Sequence, residues 1–379
     1  MHLLGLALVF VPLWIYVAAI LWATIRFSRR PTPAAAARRG ITVLKPLHGA
    51  EPGLADNLRS FVDQDYAPSQ VVFGVRNLAD AALPIARQVI AERPQSDLTL
   101  VVDGRATGSN LKIANLENML PAARHDLIVL ADADMRAEPN YLAAVAGPLH
   151  DPAVGLVTCP YKGVSNGGLW SQLGAMHINY AFLPAAILGA AMNWGGGCFG
   201  ATIAMRRDVF DRIGGFARVR NELADDHRLG AAVRELGLKA ELSRYIVENR
   251  VSEASFAILW LHEVRWARTS RLMAPGGFAG SVVTHTMMVS LLAVLVSEFS
   301  TAACLLLLGS CLLRWGSAAA VAVFLGLPQP RPWLLPLRDG LSFAVFIASF
   351  CGRNVLWRDQ VFRVEPGGRM TAAEGDKPV

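Results

Sequence analysis

Two long apolar stretches, residues 3–25 and 281–327, bracket a middle region with an ordinary mix of charged, polar and apolar residues. A helix crosses a bilayer with about 20 consecutive apolar residues, and residues 3–25 meet that length without one charged side chain. A chain so divided folds as a water-facing domain tied to membrane segments. A cleaved export signal carries positive charge ahead of its apolar core. Here Arg26, Arg29, Arg30, Arg38 and Arg39 follow it instead. The stretch therefore reads as an uncleaved anchor, and the cytoplasmic bias of loop Lys and Arg puts the region after Arg26 on that side.

Residues 281–327 hold only Glu298 and Arg314 as charges, enough length for two spans with a tight connection. Residues 341–351 are short, and with residues 333–337 they make a third span interrupted by Arg338 and Asp339, so two or three C-terminal spans are expected. Residues 182–192 are apolar yet too short to cross, and read as a core helix or an interfacial one. The expected organisation is an anchor at 1–27, a linker at 28–40, a cytoplasmic domain at 41–275, membrane segments at 276–355 and a tail at 356–379. Residues 367–379 are expected to be disordered. The net charge of +6 fits arginines beside anionic lipid. No basic–aromatic alternation points to nucleic acid, which is not expected as a partner. Five cysteines without CxxC spacing, most in apolar surroundings, read as buried free thiols in a reducing compartment.

Within the middle region, short β-branched runs alternate with helical periods. Strands are expected at residues 41–44, 71–75, 98–102, 127–130, 155–158 and 202–205. Helices are expected at 54–62, 83–91, 111–120, 141–146 and 229–236. This alternation predicts an α/β domain with a mostly parallel sheet covered on both faces, in which ligands bind beyond the carboxyl ends of the strands.

At one such end lie Asp132 and Asp134, directly after the strand at 127–130. Two carboxylates so spaced can grip a hard divalent cation, which in turn can neutralise a leaving diphosphate; the plainer reading is a solvated loop. Asp225 and Asp226 stand side by side, where mutual repulsion raises one pKa and readies a carboxylate to take a proton from a hydroxyl. The plainer reading there is a helix N-cap. His262, Arg265 and Trp266 share a predicted helix. Arg265 offers a fork to diphosphate oxygens and Trp266 an aromatic wall, although arginine and tryptophan also belong to helices lying at a bilayer surface. Asp80, beyond the strand at 71–75, is placed to hydrogen-bond a base or ribose, and Lys112 follows a flexible Gly108–Ser109–Asn110 turn as a phosphate-seeking cation. Gly195–Gly196–Gly197 allows close backbone approach to a ligand, or is a plain loop. His48, His125, His177 and His285 lack metal spacing and read as structural or exposed.

In order, Asp80, Asp132-x-Asp134, Asp226 and His262-x-x-Arg265-Trp266 resemble the D, D, D, (Q/R)xxRW series of family 2 glycosyltransferases. The surrounding sequence is closer to the ceramide glucosyltransferase branch (family 21). Lys45–Pro46–Leu47–His48–Gly49 is similar to its opening KPLKG element, and Asn57–Leu58, Gln64–Asp65–Tyr66, Lys112–Ile113–Ala114–Asn115–Leu116 and Arg206–Arg207–Asp208 match its spacing. Trp357–Arg358 and Phe362–Arg363–Val364 resemble its C-terminal tail. Val282–Val283–Thr284–His285 and residues 260–268 look most like the bacterial hopanoid-biosynthesis subgroup.

The resemblance implies a nucleotide-sugar-binding domain of the GT-A type, a UDP-sugar donor (N-acetylglucosamine or glucose), Mg²⁺ or Mn²⁺, and inversion at the anomeric carbon. It implies a lipid acceptor in the membrane, a hopanoid polyol or ceramide, and a multi-pass protein of the bacterial inner membrane with a cytoplasmic catalytic domain. By the same resemblance Asp80 contacts the nucleotide, Asp132 and Asp134 serve metal and diphosphate, Asp226 is the general base, and Arg265 with Trp266 holds diphosphate and acceptor. His262 stands where Gln or Arg is usual, and Asp134 adds an acid that ceramide enzymes tend to lack. Two other readings share these features: a processive polysaccharide synthase, which usually needs more spans, and a non-catalytic membrane scaffold, which would have shed an acid of the series.

Overall fold

The computed structural model describes residues 3–31, 38–194, 197–352, 354–357, 360–365 and 368–372. Among the described residues ten strands precede the apolar C-terminal region: β1 (Ile41–Pro46), β2 (Ser69–Val75), β3 (Leu98–Val102), β4 (Leu127–Leu130), β5 (Met135–Arg136), β6 (Val154–Thr158), β7 (Tyr161–Ser165), β8 (Ile203–Arg206), β9 (Lys239–Leu242) and β10 (Val247–Val251). Seven of them form one sheet in the order β3-β2-β1-β4-β8-β6-β9. All neighbours run parallel except β8, which is antiparallel to both β4 and β6. The expected mostly parallel α/β sheet is what forms.

Side chains alternate across it as a pleat requires. Val43, Phe73 and Val129 enter one core with Leu58, Phe61 and Tyr141. Leu44, Val72, Ile128 and Leu130 enter the other with Ile113, Leu116 and Met119. Each fully buried aliphatic side chain contributes roughly 1.5–3 kcal/mol, and every residue of β1 and β4 is buried. The strand pair that carries the site is thus firmly held in the sheet, as is the wholly buried β6. A second sheet, β5-β10-β7, stands at the end of β4. It exists because the chain turns at Asp134, whose carbonyl accepts the Arg250 N–H at 3.0 Å.

Among the described residues, three helices are long and apolar enough to cross a membrane: Leu4–Ser28, Leu169–Ala191 and Thr301–Leu325. The pair Pro275–Thr284 and Thr286–Val296, bent by 74°, makes a fourth if counted as one span. Residues 182–192, expected to be too short to span, are the second half of the 23-residue Leu169–Ala191 helix. Pro184 cannot offer an N–H to the carbonyl of Tyr180, and the helix loosens into a π turn at Ile178–Phe182. Periodicity could not join the two halves because the polar stretch around His177 and Asn179 separates them. The half expected to be core is in fact packed: Leu183, Ile187 and Leu188 lie against Ile20, Ala23 and Phe27 of the first helix and Ala318 and Val321 of the third. Leu8, Leu305, Val323 and Val296 point outward and exposed, the surface expected where lipid is the solvent.

The interruption at Arg338 and Asp339 is filled by partners. Arg314 donates to both Asp339 oxygens at 2.9 Å. Arg338, 1% exposed, donates to both oxygens of Glu263 at 2.8 and 2.7 Å. Helix Leu335–Ser349 is 15 residues long, shorter than a full span.

The last strands, β11 (Asn354–Trp357), β12 (Gln360–Val364) and β13 (Met370–Ala372), form an antiparallel sheet. Residues 370–372 were expected to be disordered and are a strand, because they have a docking place: Met370 N–H donates to Asn221 at 2.8 Å, and Gly368 accepts from Leu223 at 3.0 Å. Residues 368 and 369 lead into that strand, while 367 and 373–379 of the same expectation lie outside the described residues, as do Gly195 and Gly196. All five cysteines are free; Cys159 and Cys198 are buried as expected, but Cys311 is only partly buried and Cys304 and Cys351 are exposed, because they sit in or next to the apolar C-terminal helices, whose outer faces are uncovered.

Candidate functional site

Strand β4 ends at Leu130, and the next turn delivers Asp132 and Asp134 into a cavity of about 960 Å³. Their posture is set from beneath. Lys45, fully buried at the end of β1, donates to the Asp132 carbonyl at 2.5 Å and sits 3.7 Å over the Phe61 ring. Burial lowers its pKa to about 7, against the pull of Asp134 and Asp132. Asn110 caps the Leu111–Met119 helix by accepting from the N–H groups of Lys112 and Ile113. That cap aims Lys112 at Asp132, Nζ to Oδ1 2.6 Å, with Asp225 Oδ2 at 3.7 Å. Burial works against the Lys112 charge, but Asp132 and Asp225 outweigh it and hold its pKa above the ordinary value.

Asp225 and Asp226 open the Asp225–Glu235 helix, and neither is its N-cap; that position is Ala224. Asp226 accepts the Gly200 N–H at 2.9 Å and the His227 N–H at 2.7 Å. Burial raises the pKa of Asp226 despite Lys112, and raises that of Asp225 to about 6. Asp134 is raised by burial and by Asp132, although Asn249 donates to its Oδ2 at 2.8 Å.

Arg265 lines the same cavity. Among the described residues its guanidinium has no hydrogen-bond partner, and burial lowers its pKa to about 10 while Tyr161, Asp132 and Asp134 resist. Trp266 is beside it, packed edge-to-face on His262 at 4.2 Å. His262 Nδ1 is committed to Glu253 at 2.8 Å. Asp80 does not line the cavity. Its carboxylate accepts the N–H groups of Gly49 and Ala82, each at 2.9 Å, and faces His48 at 3.4 Å; His48 and Glu51 do reach the cavity wall. The structure therefore brings together Lys112, Asp132, Asp134, Asp226, Arg265, Trp266 and His262, and sets Asp80 behind the His48–Gly49 loop.

Among the described residues no three His, Cys, Asp or Glu side chains group as a complete metal cage. The donor set still suits a hard cation: Asp132 and Asp134 offer carboxylate oxygens, and a cation would relieve both the burial and the Asp132 charge that raise Asp134. Such an ion would complete its shell with phosphate oxygens and water.

A model of the protein family described as Glycosyl transferase family 21 matches residues 2–370. The chain belongs to that family. It is a glycosyltransferase with a GT-A type domain. Ceramide glucosyltransferase 1 of Caenorhabditis elegans is 22% identical over 371 residues, covering 90% of this chain and 75% of that protein. The ceramide glucosyltransferase of Komagataella phaffii is 28% identical over 115 residues, 29% of this chain and 23% of its own length. Among solved structures, a mannosyltransferase of Pyrobaculum calidifontis, in complex with GDP-Man and Mn²⁺, superposes with a TM-score of 0.56 at 19% identity, covering 91% of this chain and 96% of that one; this likeness concerns the fold.

Three residues of this family 21 site, Gly200, Tyr161 and Asn249, escaped the sequence reading, and a fourth, Asp225, was read only as half of a pair. Gly200 presents its N–H to Asp226, and a Cβ there would lie 3.3–3.5 Å from Lys112 Nζ, Asp132 Oδ2 and Asp226 Oδ2. Tyr161 lines the cavity with its pKa pushed up by burial and by Asp226, Asp134 and Asp132. Asn249 fixes Asp134, and Asp225 shares Lys112 with Asp132. Only Asp225 carried a signal, and it was assigned to its neighbour.

Proposed function

We propose that this family 21 enzyme transfers one sugar from a UDP-sugar to a hydroxyl of a membrane lipid, with inversion, from the cytoplasmic face of a bacterial inner membrane. The observation that carries the reading is the continuity of the cavity. One end holds Lys112, Asp132, Asp134, Asp226 and Arg265, and the other is walled by Tyr16, Val17, Ile20, Tyr180, Val321 and Phe346 from the apolar helices. A charged donor and a lipid acceptor need those two ends in one space. The relatives named as ceramide glucosyltransferases, and the neighbour holding GDP-Man and Mn²⁺, support the same reading.

In this mechanism Asp226 takes the proton of the acceptor hydroxyl while that oxygen attacks C1 of the sugar from the face opposite the diphosphate. The new C1–O bond forms as the C1–O bond to phosphate breaks, and the electron pair leaves with UDP. Burial makes the Asp226 carboxylate a stronger base than one in water, and the Gly200 and His227 N–H groups hold its orientation. Arg265, unpaired, is free to meet the diphosphate, and charge directed at the leaving group is most effective in a cavity poor in water. Mg²⁺ or Mn²⁺ held by Asp132 and Asp134 would neutralise the diphosphate. Asp80, behind the His48–Gly49 loop, acts on the nucleotide by fixing that loop. The sugar is glucose or N-acetylglucosamine and the acceptor a hopanoid polyol or ceramide.

The test is to incubate the purified protein in detergent with Mn²⁺, each UDP-sugar and each lipid, and to weigh the products by mass spectrometry. One added hexose or N-acetylhexosamine on a single lipid, lost with EDTA, is expected. A ladder of sugars would replace the reading with a polymer synthase, and donor binding without transfer to any lipid would overturn it.

A further inference from the structure

The membrane end of the cavity is not wholly apolar. Helix Thr286–Val296 begins there, after the 74° bend, and no side chain caps its first turn. A helix start leaves N–H groups without intrahelical acceptors. Thr286 is 1% exposed and lines the cavity, and among the described residues its hydroxyl has no hydrogen-bond partner. His285, at the elbow, also lines the cavity; its ring packs on Phe343 and Phe346 at 5.5 and 5.0 Å, and its nitrogens bond to no described side chain. His177 completes this wall, its Nδ1 3.5 Å from Ser342 Oγ.

Charge at this end is closed. Arg314 is matched by Asp339, and Arg338, behind the wall, by Glu263. Hydrogen-bonding groups without partners, set in an apolar cavity whose cations are all neutralised, suit an uncharged polar ligand. A lipid phosphate would find no free cation there, since Arg265 and Lys112 stand at the donor end.

We propose that His285 and Thr286 are acceptor-specificity residues: they take a hydrogen-bonding group of a neutral lipid, an amide or a second hydroxyl, other than the hydroxyl that reacts. This rests on the lipid-transfer reading above. A site built to hydrogen-bond a substrate group discriminates strongly against analogues lacking it, by up to about 10⁴-fold, whereas an apolar pocket does so weakly.

The experiment compares full-length wild type with His285→Phe and Thr286→Val in nanodiscs. The acceptors are an N-acyl amino alcohol, a polyol lipid, a monohydroxy alcohol of matched chain length, and a polyprenyl phosphate. Wild type is expected to favour the bifunctional neutral lipids at least tenfold in kcat/KM and to be indifferent to added polyprenyl phosphate. Each variant is expected to lose most of that preference through acceptor KM, with unchanged UDP-sugar affinity, which also verifies its fold. A preference equal in wild type and both variants, or use of the phosphate lipid, would overturn the assignment alone. Donor binding with no lipid glycosylated would overturn the lipid-transfer reading and this inference with it.

Discussion

The two ends of the cavity handle charge in opposite ways. At the donor end, Asp132, Asp225 and Asp226 gather around Lys112, Asp134 is crowded by Asp132, and Arg265 waits without a hydrogen-bond partner among the described residues. At the membrane end, Arg314–Asp339 and Arg338–Glu263 are closed, two-pronged pairs. Both cost desolvation. The membrane pairs recover it within the folded chain and so belong to the architecture. The donor cluster recovers it only in part, through Lys112 and the N–H groups at Asp226; in the proposed mechanism metal and diphosphate would supply the rest, so its strain is available for binding and chemistry.

That contrast breaks if a donor-end change acts chiefly on stability or a membrane-end pair chiefly on catalysis. Asp226→Asn is expected to lower kcat by about 10²–10⁴-fold while UDP-sugar affinity, read by calorimetry, stays near wild type; unchanged turnover would remove Asp226 from its role. Arg265→Ala should lower kcat/KM by about 10²–10³-fold, as loss of a transition-state charge partner does, with little change in melting temperature. Arg338→Ala should reverse that pattern. Leaving Glu263 buried and unpaired costs about 3–5 kcal/mol, whereas replacing both members by apolar residues costs far less, a difference that thermal denaturation of the two variants will resolve. The smallest effect is on pH. Asp226 must be ionised to act, and Lys112 lowers a pKa that burial has raised. The acid limb of the rate profile should therefore lie above the usual carboxylate range, and in Lys112→Gln it should move to still higher pH. A limb that moves down would show that Lys112 does not face the base.

Much of the donor end was legible because its parts are local. The run at residues 127–130 is a strand whose end places Asp132 and Asp134, and the Asn110 cap that aims Lys112 lies two residues from it. What sequence could not supply are meetings across long separations. Glu263 lies inside the His262–Trp266 motif and gave no hint that Arg338 would claim it. Gly200 lacks a side chain to read, yet its backbone orients Asp226. His285 looked structural because a lone histidine carries no spacing, and only the 74° bend of its helix pair turns it toward the cavity.

The stitching of Asn221 and Leu223 to Met370 and Gly368 also sets an order of events during synthesis. The loop that leads into Asp225 and Asp226 is held from upstream by Ser109 and Asn110, which donate to Asn221 and Glu222 at 2.9 and 2.8 Å, but lacks its second tether until residues far downstream have left the ribosome. A nascent chain that has completed its apolar helices thus holds the Asp225–Asp226 loop one tether short, and the same joint is where a tag fused close behind the last strand would be felt.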